Sequence, residues 1–88
     1  MSENFEELFL KANDCLATGE YIKSIELYKK CLELSPSDKI VYNNIGNAYS
    51  AAGRHKDAIK AFDEALEIDN KDASIWANLG ITYSSNGD

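Results

Sequence analysis

The strongest constraint on this chain is that it repeats itself at a displacement of 34 residues. Asn13 then falls on Asn47, Ala17 on Ala51, Gly19 on Gly53 and Ile25 on Ile59, and Leu32, Glu33 and Asp38 fall on Leu66, Glu67 and Asp72. Seven identities in one unit of 34 exceed the roughly two expected from average composition. The shift carries on toward the C-terminus, where Asn44, Gly46, Tyr49, Ser50 and Gly53 recur as Asn78, Gly80, Tyr83, Ser84 and Gly87. Conservative pairs fill the intervals: Tyr42 with Trp76, Ile45 with Leu79, Tyr28 with Phe62, Leu34 with Ile68. A fixed period of this length implies stacked copies of one supersecondary unit, none of which can bury its apolar face alone.

The apolar spacing inside each unit is helical. Tyr42, Ile45, Tyr49 and Ala52 follow i, i+3, i+7 and i+10, and Ala58, Phe62, Ala65 and Leu66 form a second stripe beyond Gly53. No stretch of four or more residues alternates cleanly, so strands are not expected. Gly19 and Gly53 suit the left-handed turns that end helices. Ser35-Pro36-Ser37 punctuates the first unit, and Ser37 or Asp38 is placed to cap the helix that follows. The spacing predicts five helices over residues 4–17, 21–34, 38–52, 55–68 and 72–86. Connections this short make consecutive helices antiparallel neighbours.

A helix–turn–helix unit with an aromatic residue, Leu, Gly and Tyr in its first helix resembles the tetratricopeptide repeat. The second unit carries Tyr42, Ile45, Gly46 and Tyr49, then Ala58, Phe62 and Ala65. The third opens with Trp76, Leu79, Gly80 and Tyr83, a closer match. The first is more divergent, with Leu8, Lys11, Ala12 and Cys15 at those positions, although Ser24, Tyr28, Cys31 and Pro36 agree well. The resemblance implies an all-α, right-handed superhelical solenoid of antiparallel helix pairs, five helices in all. It forms one domain over residues 1–88, with repeat one at 5–38, repeat two at 39–72 and a half repeat at 73–88. Gly46 and Gly80 are expected to let paired helices approach closely, with Phe62 and Tyr49 filling the space between them.

Composition narrows the function. The net charge of −6 argues against phosphate backbones and anionic membrane surfaces as partners, so no nucleic acid and no membrane are expected. No apolar run is long enough to span a bilayer. The start, Met1-Ser2-Glu3-Asn4-Phe5-Glu6-Glu7, lacks the basic and apolar parts of a signal peptide, which suggests a cytoplasmic location. His55 is the only histidine and reads as an exposed residue at a helix start. Cys15 and Cys31 occupy apolar stripe positions, on the order of 10 Å apart by helix rise, too far to bridge. The carboxylate pairs Glu6-Glu7 and Asp63-Glu64 point about 100° apart and do not converge on one atom. No Gly-rich phosphate loop, nucleophile elbow or metal-ligand spacing is found, so no enzyme activity, metal or cofactor is expected.

What remains is a binding surface. Asn43, Asn47 and Ser50 share a helix face, with Asn44 at its edge, and Asn13 and Asn78 repeat two of these positions. In tetratricopeptide arrays this first-helix face lines a concave groove. A carboxamide donates and accepts at once, so it can hold a peptide backbone with little regard to side chains. Asn13, Asn43, Asn44, Asn47 and Asn78, with Phe9 and Ile81 as apolar contacts, are the expected peptide-binding residues. Repeats of this family that clamp carboxylate tails place Lys and Arg beside such asparagines. Here those positions hold Phe9, Ser74 and Asn78, so an acidic tail is not the expected ligand.

Two other readings compete. One is a self-associating scaffold unit, a homo-oligomer formed through the half repeat. Trp76, Leu79 and Tyr83 form its edge, Gly80 is ready for a close neighbour, and Asp88 stands in an N-cap register. The other is an accessory segment of a larger enzyme.

Overall fold

The computed structural model describes residues 4–86, so the expectations placed on Gly87 and Asp88 lie outside the described residues. Among the described residues five helices follow one another: α1 Phe5–Ala17, α2 Tyr21–Leu34, α3 Lys39–Ala51, α4 His55–Ile68 and α5 Ala73–Ser85. The expected starts at residues 4, 38 and 72 are the caps themselves. Asn4 accepts from the Glu7 amide, Asp38 from Ile40 and Val41, and Asp72 from Ser74. Each side chain satisfies amides that have no partner within the helix.

Two glycines set the reversals inside the helix pairs. Gly19 (φ 88°) and Gly53 (φ 81°) are left-handed. The amides that follow reach back across them, Glu20 to the Cys15 carbonyl and Arg54 to the Tyr49 carbonyl, both at 2.8 Å. This closure leaves the chain reversed within three residues, and α2 and α4 then run back along α1 and α3. Neither α2 nor α4 has a side-chain cap, so their positions depend on packing rather than on local capping.

The core is a single apolar seam. Tyr28 and Phe62, the equivalent residues of α2 and α4, are fully buried together with Val41 and Ile75. A Cβ on Gly46 would lie 2.6 Å from Cε1 of Phe62, so α3 and α4 meet at a distance only glycine allows there. The expected close approach is present at Gly46. At Gly80 a Cβ would meet nothing within 4 Å, because no helix among the described residues lies against that side of α5. Tyr49 is buried and the Arg54 guanidinium lies 5.1 Å above its ring.

Each helix packs on its predecessor, α1 touches α3, and α3 touches α5. α2 and α4 do not meet. The odd helices therefore close up on one side while the even ones splay on the other, which makes the odd-helix side concave. The array measures 44 × 26 × 16 Å. The connection into α5 is tied back to α3: the Lys39 ammonium lies 2.6 Å from Asp69 and 3.1 Å from Asp72. No described helix is long and apolar enough to cross a membrane.

Candidate peptide-binding groove

The inner face is built from α1, α3 and α5, and their asparagines first of all join the helices to each other. Asn13 on α1 accepts from the Tyr28 hydroxyl and, at 3.3 Å, from the Asn44 carboxamide of α3. Asn78 on α5 donates to Asn43 on α3 at 3.1 Å. Thr82 donates at 2.9 Å to the Asn78 carbonyl, and its hydroxyl oxygen lies 3.3 Å from the Ser50 hydroxyl, which can donate to it. Four of the expected residues, Asn13, Asn43, Asn44 and Asn78, are thus cross-helix ties, while Asn47, Phe9 and Ile81 take no part in them. Sequence spacing shows which side chains share a face, but not that neighbouring faces lie within bonding distance.

These ties fix what the carboxamides can still offer. The Asn13 oxygen is occupied by two donors, which leaves its amino group for a ligand. Asn44 keeps its oxygen and one N–H, Asn43 keeps its amino group, and Asn78 keeps its oxygen. Asn47 is half-buried and has no hydrogen-bond partner among the described residues, so both its functions are free. Burial pushes the Tyr28 phenol up to about 12, so it stays a donor and holds the Asn13 carboxamide in one sense.

The two apolar contacts differ. Phe9 stacks on Phe5 at 5.6 Å and meets Tyr28 edge-on at 6.2 Å, so it is half-buried in the first helix pair. Ile81 is 63% exposed and open to a partner. The positions at which a carboxylate clamp would need cations hold Phe9, Ser74 and Asn78, and the Lys39 ammonium is held by two aspartates.

At the α5 edge, Trp76 is 52% and Tyr83 40% exposed, but Leu79 is only 6% exposed. Leu79 belongs to the core that joins α5 to α4, and the expected edge loses it. Trp76 is held in place by its ring N–H, which donates at 2.7 Å to the Asn70 carbonyl. His55 opens α4 half-buried rather than exposed. Cys15 and Cys31 are buried free thiols, and burial pushes the Cys31 thiol up. Among the described residues no group of three His, Cys, Asp or Glu side chains is arranged to hold a metal.

Sequence reading did not find the cleft of about 240 Å³ on the convex side, between α2 and α4. Tyr42, Ile45 and Tyr49 form its floor, with Lys29 and Lys60 on its walls. The available signal was the i, i+7 pair of tyrosines, which reads equally well as core.

Stacked antiparallel helix pairs joined by asparagines along α1, α3 and α5 define a helical repeat array, a class of protein–protein interaction modules. A family model described as tetratricopeptide repeat matches residues 6–71, and a second of the same description matches 61–88. The chain belongs to the tetratricopeptide repeat family. It is similar to the Sgt2 TPR domain from Aspergillus fumigatus, a crystal structure, with TM-score 0.91 and 31% identity. The match covers 99% of this chain and 58% of that one.

Proposed function

We propose that the chain is a non-enzymatic interaction module that holds an extended peptide of its partner along the concave face of α1, α3 and α5. The observation that carries this reading is Asn47, a carboxamide at the middle of that face with neither donor nor acceptor engaged. Around it, Asn13 and Asn43 offer donors while Asn44 and Asn78 offer acceptors, the mixture that an extended backbone requires. Ile81 adds an exposed apolar contact, and Phe9 closes the far end. With no free cation placed among these residues, the ligand is recognised by its backbone and apolar side chains, not by a terminal carboxylate.

Selection from a peptide library, followed by titration of the best binder, tests the proposal. Asn47→Ala should weaken binding about tenfold, the loss of one or two directed hydrogen bonds. Equal binding by the wild type and by Asn47→Ala/Asn44→Ala would overturn it. A second reading, self-association, is favoured by the exposure of Trp76 and Tyr83 on α5. A sedimenting mass that rises with concentration supports that reading, and a constant monomer mass excludes it. The single domain over residues 1–88 and the cytoplasmic location belong to the same proposal.

A further inference from the structure

The convex cleft has a chemistry of its own. It is bounded by α2, α3 and α4, so it has a helix on either side and does not lie at an end of the array. Its lining is apolar at the base. Ile45, Tyr49 and Ala61 are buried at 3%, 8% and 7% exposure, and Leu32 and Tyr42 are half-buried. The Tyr49 hydroxyl has no hydrogen-bond partner among the described residues, although the residue is more than nine-tenths buried. No buried side-chain N or O among the described residues lacks a partner. That hydroxyl therefore reaches solvent, and it does so at the cleft that Tyr49 lines.

The walls are charged. Lys29 on α2 and Lys60 on α4 are exposed, and neither forms an ion pair among the described residues. Asp57 is already taken by Arg54 at 2.8 Å, and Arg54 also covers one face of the Tyr49 ring. Two ammonium groups therefore face a single uncommitted carboxylate, Glu64. The cleft is net positive on a chain of net charge −6.

We infer that the cleft is a second binding site, for a partner-protein segment that presents an aromatic side chain next to an aspartate or glutamate. An apolar cavity of about 150 Å³ holds a benzene ring. The roughly 240 Å³ here has room for one ring and a little of the chain that carries it. The ring covers Ile45 and Ala61 and lies against Tyr42, while the neighbouring carboxylate meets Lys29 and Lys60. The tyrosine hydroxyls and Glu64 are left for the backbone N–H and C=O groups of the segment. An inorganic anion would leave the apolar base uncovered, and a purely apolar segment would leave both ammonium groups unanswered. A second copy does not supply the ligand. The aromatics of this chain that stand beside an acid are Phe5, Tyr21 and Phe62, and all are half-buried or buried. The site is on the opposite side of the odd helices from the asparagines, so it does not depend on how their groove is used.

The probe is the capped peptide Gly-Asp-Phe-Asp-Gly, acetylated and amidated, titrated into the nitrogen-15-labelled full chain. The expected result is saturable shifts of the backbone amides of Lys29, Tyr42, Ala61 and Glu64, with the side-chain amides of Asn13, Asn43 and Asn47 still. Replacing Phe by Ala in the peptide should weaken binding more than tenfold, because a buried ring contributes about 1.5–3 kcal/mol. Replacing both Asp by Asn in the peptide, or Lys29→Gln/Lys60→Gln in the chain, should each weaken it about tenfold. Both lysines are exposed, so the double variant should keep the wild-type melting curve, and Asn47→Ala should bind the peptide as the wild type does. No saturation at millimolar peptide, or equal affinity after either charge removal, overturns the inference. Phenylacetate binding as tightly as the peptide also overturns it, because the occupant would then be a small aromatic acid and not a protein segment.

Discussion

Replacing Gly46 and Gly80 by alanine adds the same methyl group in the same repeat register, yet the two substitutions should act in opposite directions. At Gly46 the new Cβ would stand 2.6 Å from Cε1, 2.8 Å from Cδ1 and 2.8 Å from Cζ of Phe62. Carbon atoms in contact sit about 3.5–4.0 Å apart, so the ring or the helix must move by about 1 Å. The ring is fully buried, and overpacking of this kind costs about 1–3 kcal/mol. Alanine recovers about 0.5–1 kcal/mol as the better helix residue, which leaves a net loss of about 0–2.5 kcal/mol, centred near 1 kcal/mol. A domain of this size has a total stability of roughly 4–13 kcal/mol, and each kcal/mol moves the melting temperature by about 4–8 °C.

At Gly80 nothing lies within 4 Å, so only the helix gain of about 0.5–1 kcal/mol remains. Thermal melts of both variants by circular dichroism should therefore move apart, Gly46→Ala downward by several degrees and Gly80→Ala slightly upward. Adding Phe62→Leu to Gly46→Ala should cost less than the sum of the two singles, because the clash disappears with the ring. A Gly46→Ala variant that melts at or above the wild type, or two equal downward shifts, would refute the packing argument.

Other consequences follow from the hydrogen bonds and charges. Tyr28→Phe removes the hydroxyl bonded to Asn13 and should cost about 0.5–1.5 kcal/mol. Because the folded phenol is raised to about 12, its contribution is intact below pH 10 and is lost as pH rises toward 12. Alkaline melts of the wild type, but not of Tyr28→Phe, should show that loss. Asp72 is held down to about 2 by the Ser74 hydroxyl and by Lys39. Its contribution is present above the ordinary aspartate range and fades as pH falls toward 2, so Asp72→Asn should flatten the acid limb of the stability curve. Thiol reagents should label Cys15 and Cys31 slowly in the native chain and rapidly in denaturant, with no change on reduction.

The period of 34 made the helices, their pairing and both glycine turns readable from the sequence. All three depend on local properties: spacing, left-handed φ and side-chain capping. The close contact at Gly46 was readable only through the family resemblance, which suggested the same at Gly80, where nothing lies within 4 Å. Leu79 was not, because the stripe Trp76, Leu79, Tyr83 shows one apolar face and does not divide it between the core and the open edge. Only the packing of α5 on α4 does that, burying Leu79 and leaving Trp76 out. The asparagines were readable as a face but not as ties, since Asn13 to Asn44 and Asn43 to Asn78 are bonds between helices whose rotation is set by Tyr28 and Phe62 below them. The convex cleft was hidden because it is a gap between α2 and α4, and a gap has no sequence pattern of its own.

The central claim is that an extended peptide lies along the asparagine face, and the side-chain amide resonances of the asparagines test it directly. Labelled with nitrogen-15, the full chain is titrated with the library-selected peptide, once as the free acid and once amidated. The account predicts that the NH2 signals of Asn13, Asn43 and Asn47 move together in a saturable way, with equal affinity for both peptide forms. Shifts confined to the convex cleft or to the α5 edge, with the asparagine amides still, would contradict it, as would a tenfold preference for the free acid.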